Sequence, residues 1–68
     1  MYALIETHKG MDWYFDGAGW SSSPVAYFST RLAAERSQWR NQAEARRHNT
    51  GRRYRVESDL EMDARLAG

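Results

Sequence analysis

The residues of this 68-residue chain whose types could break a phosphodiester are His8 with nearby Glu6, His48, and the segment RSQWRNQAEARRHNTGRRYR, which carries seven arginines between Arg36 and Arg55. A group titrating near neutrality, a carboxylate and cations around a scissile phosphate are the minimum cast for general acid–base cleavage. The spacing does not assemble them: His8 falls in a predicted hairpin turn, His48 at a predicted helix end, and no pattern requires them to meet. Ser21 to Ser23 lack an identifiable base. Asp12 and Asp16 lie four residues apart on one strand face, about 13 Å in an extended segment, too far to clamp one ion. The glycines of DGAGW lead into SSSP rather than a helix, so no amides converge on an anion. Cysteine is absent, which removes thiolate chemistry and disulfides and suits a reducing compartment. The expectation is a binding protein without catalytic residues, metal ligands or cofactor.

Charge supplies the candidate binding residues. Met1 to Thr30 has net charge −2, Arg31 to Arg55 has +6, and Val56 to Gly68 has −3, although the whole chain is only +1. On a helical wheel Arg36, Arg40 and Arg47 fall together, and Arg52, Arg53 and Arg55 follow on a predicted strand, a stripe able to track a phosphate backbone. Asp59, Glu61 and Asp63 of the acidic tail are the alternative docking residues, meeting a basic groove. Isolated surface ion pairs contribute only about 0–1 kcal/mol, so pairing alone does not account for the clustering.

The elements that must carry these residues are legible from pattern. YALIET alternates as a strand over residues 2–7, HKGM is a tight turn, and DWYFD is a second strand over 12–16. A two-residue loop at Lys9 and Gly10 sets Thr7 against Asp12 and Leu4 against Phe15. That register sorts Tyr2, Leu4, Trp13 and Phe15, with Glu6, onto one face, and Ala3, Ile5, Thr7, Asp12, Tyr14 and Asp16 onto a more polar one. VAYF suggests a short edge strand over 25–28 after Pro24. A helix over 30–48 starts at a Ser29 or Thr30 cap and stops near Asn49 and Gly51. RRYRVE gives a last strand over 52–57, and 58–68 is an acidic tail that frays or forms a short helical turn. The wheel groups Leu32, Trp39 and Ala43 within about 40°, which predicts that they face the sheet and that Ala34, Asn41 and Ala45 face solvent. The predicted architecture is a single α+β domain over 1–68, two-layer ββ(β)αβ, with an antiparallel sheet of three to four strands and one helix across one face.

A chain this short buries only about 60% of its unfolded surface, so its three tryptophans, four tyrosines and two phenylalanines must supply much of the core. No apolar run approaches the roughly 20 residues of a membrane helix, and the start lacks a secretory pattern. The reading is of a soluble cytoplasmic protein, monomeric or pairing through the 25–28 edge.

MYALIETHKGMDWYFDGAGW followed by YFSTRLAAERSQW is similar in layout to HicB-type antitoxins, which implies an inhibitor of a small toxin ribonuclease. In size, α+β layout and polarised charge the whole chain also resembles anti-CRISPR and related small proteins of phages and mobile elements. That resemblance implies a non-enzymatic inhibitor docked on a host protein or ribonucleoprotein complex that handles nucleic acid. Direct binding of nucleic acid through the arginine stripe is the alternative. Trp39, read as a core residue, would leave such a stripe without a stacking partner.

Overall fold

The β1–β2 hairpin forms where alternation and turn chemistry agree. β1 (Tyr2–His8) and β2 (Met11–Phe15) pair antiparallel with Thr7 opposite Asp12. Lys9 and Gly10 close the two-residue loop with φ of 52° and 77°, both in the left-handed region that a type I′ turn requires. The computed structural model describes all 68 residues, Met1–Gly68, and shows a four-stranded antiparallel sheet in the order β3-β2-β1-β4 with two helices.

The third strand is not at 25–28. It is β3 (Trp20–Ser21), which pairs with Phe15 and Tyr14 across the Asp16 turn. Asp16 organises that turn by accepting from the amides of Ala18 at 2.9 Å and Gly19 at 2.8 Å. VAYF has strand composition but little free edge to join. Only Phe28 bridges to Tyr2, beyond the end of β2, through backbone hydrogen bonds of 2.7 and 2.9 Å. The segment is drawn in instead by its rings: Phe15 meets Trp20, Tyr27 and Phe28 at centroid distances of 5.6, 5.3 and 5.7 Å.

Helix α1 (Arg31–Arg47) lies within the predicted span. The Thr30 hydroxyl accepts the Ala33 amide at 3.2 Å as N-cap. At the other end Asn49 takes φ 52°, its amide bonding Arg46 O and that of Thr50 bonding Ala45 O, a Schellman stop. β4 (Arg53–Ser58) then pairs with β1, setting Tyr54 opposite Glu6 and Val56 opposite Leu4.

The tail forms α2 (Asp59–Ala67) rather than fraying. Ser58 Oγ accepts the Glu61 amide and Glu61 Oε1 accepts the Ser58 amide, each at 3.1 Å, a reciprocal capping box. The predicted α+β domain, an antiparallel sheet with α1 across one face, is present, and α2 packs on the sheet face opposite α1. Met62 packs there with Ala3, Ile5 and Tyr14. With helices on both sides, the central strand β1 buries four successive residues, Ala3 to Glu6.

The side of α1 that meets the sheet is the reverse of the predicted one. Ala34, Ser37 and Ala45 are buried, whereas Leu32 is 58% and Trp39 82% exposed. Two causes act together. Small side chains let the helix approach a sheet face already filled by rings. The outer edge of β4 also needs hydrogen-bond partners, and Gln38 and Gln42 supply them: Gln38 Nε2 donates to Tyr54 O, Gln42 Oε1 accepts from Tyr54 N, and Gln42 Nε2 donates to Arg52 O, at 3.0, 3.1 and 3.0 Å. This orientation makes a sharp prediction for chemical denaturation. Trp39→Ala costs less than about 0.5 kcal/mol, as for an exposed residue, while Ala34→Leu costs about 1–3 kcal/mol by overpacking. A Trp39→Ala cost in the range of about 3–5 kcal/mol, typical of a core tryptophan, would mean the helix is turned the other way.

Candidate nucleic-acid interface

The outward side of α1 is built by helical spacing alone. Leu32, Arg36, Trp39, Arg40, Ala43 and Arg47 follow one another at intervals of three and four or adjoin them, so they share a surface. All six are exposed. Arg36 and Arg40 make no ion pair or hydrogen bond within the protein, and Arg47 bonds only its helix neighbour Glu44, at 2.9 Å. The surface is an indole flanked by guanidinium groups, with the exposed Glu35 one turn before it, an arrangement that sequence reasoning missed by placing Trp39 in the core. Arg46, not among the predicted site residues, lies seven residues beyond Trp39 on nearly the same angular position and is also unpaired.

The remaining sequence-predicted residues separate into three places. Arg52 and Arg53 flank the start of β4 beside the end of α1. Arg53 is unpaired, and Arg52 Nε stands 3.7 Å from Glu6. Arg55, two residues along β4 on the same sheet face as Arg53, is inside an internal network: it donates to Thr7 at 2.9 Å, Asp12 at 3.1 Å and Glu57 at 3.4 Å. Arg65 of α2 closes the network on Glu57 at 3.0 Å and on the Tyr14 hydroxyl at 2.9 Å. The Arg55 hydrogen bond, aided by Thr7, holds Asp12 below the usual carboxylate range against its burial. For Arg55 burial opposes the charge, yet Asp12 and Glu57 outweigh it and its pKa is raised. Arg55 is therefore less available to a partner than its place in the sequence suggests.

The acidic tail is also largely occupied. Asp59 pairs with the N-terminal amine at 3.3 Å. Glu61 takes the Ser58 cap and Arg31 at 3.0 Å, and these hold its carboxyl low. Asp63 alone among Asp59, Glu61 and Asp63 has no partner.

His48 bonds Glu44 at 3.1 Å and lines a small concavity of about 220 Å³ with Glu6, Arg52 and Tyr54. The fold thus brings Glu6 and His48 to one hollow, which the spacing did not foretell, while His8 stays at the hairpin end. No group of three or more histidine, aspartate or glutamate side chains is arranged to hold a metal ion. No helix is long and apolar enough to cross a membrane. No family model, curated protein or solved structure matches the chain, so the layout resemblances carry no family assignment.

Tyr54 links the hollow to the sheet. Burial and then its 2.8 Å hydrogen bond to Glu6 push its phenol up to about 12. A phenol whose folded pKa is raised stabilises the fold fully below the unfolded value, near 10, and that contribution is lost as pH rises through about 12. Absorbance titration is expected to show a tyrosine transition near 12 that belongs to Tyr54, and Glu6→Gln to bring it down. An unchanged titration in Glu6→Gln would remove Glu6 as a cause.

Proposed function

We propose that this protein acts by binding rather than catalysis, and that it grips a nucleic-acid strand along the outward side of α1. The observation that supports this most is the exposed Trp39 ring set among unpaired arginines. A base stacked on an exposed aromatic contributes roughly 1–3 kcal/mol, and flanking arginines neutralise the adjoining phosphates. The acids of β4 and α2 are mostly paired, and α2 lies across the sheet; on α1 itself Glu44 is paired with Arg47 and His48, which leaves Glu35 as the one free carboxylate near Trp39. A strand-binding role would place the protein in the cytoplasm, in keeping with a chain that has no cysteine.

A second reading has its own support. Leu32 and Ala43 flank Trp39, and an apolar patch with tryptophan and arginine is also the make-up of protein-interface hot spots. On that reading the same surface docks on a host complex that handles nucleic acid, as a mobile-element inhibitor or an antitoxin-like inhibitor would.

Anisotropy titrations of a labelled single-stranded oligonucleotide distinguish the two. If Arg36 and Arg40 each meet a phosphate and Arg46 and Arg53 share a third, log affinity falls against log salt with a slope of about −2. Trp39→Ala weakens binding about 5- to 150-fold, the stacking contribution expressed as a ratio. No binding at low salt, or equal affinity in wild type, Trp39→Ala and Arg36→Glu/Arg40→Glu, would overturn the strand reading and leave the protein-docking one. RNA recovered intact from the mixture is expected; shortened RNA that disappears with His48→Ala would contradict a binding-only role.

A further inference from the structure

Between the last turn of α1 and the first residues of β4 lies an open concavity of about 360 Å³ lined by Gln42, Ala45, Arg46, Asn49, Gly51, Arg52 and Arg53. Three of these carry guanidinium groups and none carries a carboxylate. Arg46 and Arg53 have no ion pair, and Arg52 has only the 3.7 Å approach of its Nε to Glu6. Arg46 and Arg53 thus lack a counter-ion beside the partly paired Arg52, and an anion in the hollow supplies one. Three of the C-terminal helix carbonyls that would oppose an anion here are hydrogen-bonded: those of Glu44, Arg46 and Ala45 accept from the amides of His48, Asn49 and Thr50 at 3.0, 3.2 and 3.0 Å.

We infer that this concavity is a phosphate-binding site in which Arg46, Arg52 and Arg53 clamp the oxygens of one phosphate group. Arginine suits the task because its planar fork donates two hydrogen bonds to neighbouring phosphate oxygens. The inference deepens the strand-binding reading and rests on it for the source of the phosphate. Arg46 lies two turns beyond Trp39, about 10.5 Å along the axis and about 20° around it, so a clamped phosphate and a base stacked on Trp39 belong to one strand. Gln42, between them, is engaged with β4 and keeps the floor of the clamp fixed.

Amide chemical-shift titration with inorganic phosphate, at constant ionic strength held by chloride, tests the site without any nucleic acid. Saturable shifts at Gln42, Arg46, Asn49, Gly51 and Arg53, absent from α2, are expected. In Arg46→Gln/Arg53→Gln the phosphate affinity is expected to drop at least about tenfold, since two charge-assisted pairs are lost, with the thermal midpoint unchanged. Shifts that never saturate, or that are as large at Arg36 and Arg40, would overturn the clamp. Oligonucleotides with and without a 5′-phosphate identify the source. Equal affinity, weakened by the double variant, assigns the clamp to an internal phosphodiester; tighter binding of the phosphorylated strand assigns it to a terminal phosphate. Strand binding that persists while inorganic phosphate fails refutes the clamp alone, and saturable phosphate without strand binding refutes the strand reading alone.

Discussion

The side-chain amides of Gln38 and Gln42 decide how this molecule presents itself. β4 is an edge strand, and the backbone groups of Tyr54 that point away from β1 would otherwise meet water or another chain. Two glutamines one turn apart satisfy them. A helix held by that row turns Ala34, Ser37 and Ala45 inward and necessarily turns Trp39 outward. The indole surrounded by arginines is thus a consequence of how the sheet edge is closed.

The rest of the chain compensates for a helix seated on small and polar residues. Only nine residues are buried, so stability must also come from elsewhere. The rings of Phe15 and Trp20 hold Tyr27 and Phe28 to one face, while Val25 and Ala26 pack against the Met62 cluster. The network of Thr7, Asp12, Arg55, Glu57, Arg65 and Tyr14 fastens α2 to the other. Partly buried charge-assisted bonds of this kind contribute more than exposed pairs. The sorting has an electrostatic result. Most of the acids of β4 and α2 are neutralised locally, while Arg36, Arg40, Arg46 and Arg53 have no counter-ion within the molecule, unlike Arg31, Arg47 and Arg52.

The hairpin register, the limits of α1 and the last strand were legible because local chemistry and pattern agree there: Lys9-Gly10 for the turn, Thr30 for the cap, Asn49 for the stop. The rotation of α1 was not legible, because Leu32, Trp39 and Ala43 form a plausible apolar stripe and nothing in their spacing reveals that an edge strand claims the glutamines. α2 was hidden differently. Its signal, Ser58 three residues before Glu61, stands in the sequence, but the run of acids suggested a solvated tail. VAYF failed as a strand since strand composition does not create a partner edge. For the site, arginine density was visible from the start, yet Arg46 lies off the stripe of Arg36, Arg40 and Arg47 and becomes notable only when the turn brings it beside Arg52 and Arg53. Trp39 was lost with the rotation.

Hydrogen exchange at the Tyr54 amide tests the central claim most directly. With its acceptor supplied by Gln42, that amide is expected to be protected to a degree comparable with other amides of β4 despite its place on the outer edge, and to lose that protection in Gln42→Ala while the amides of β1 keep theirs. A Tyr54 amide that exchanges freely in the wild-type protein, with β1 protected, would mean that α1 is not seated through its glutamines, and the outward indole would lose its physical basis.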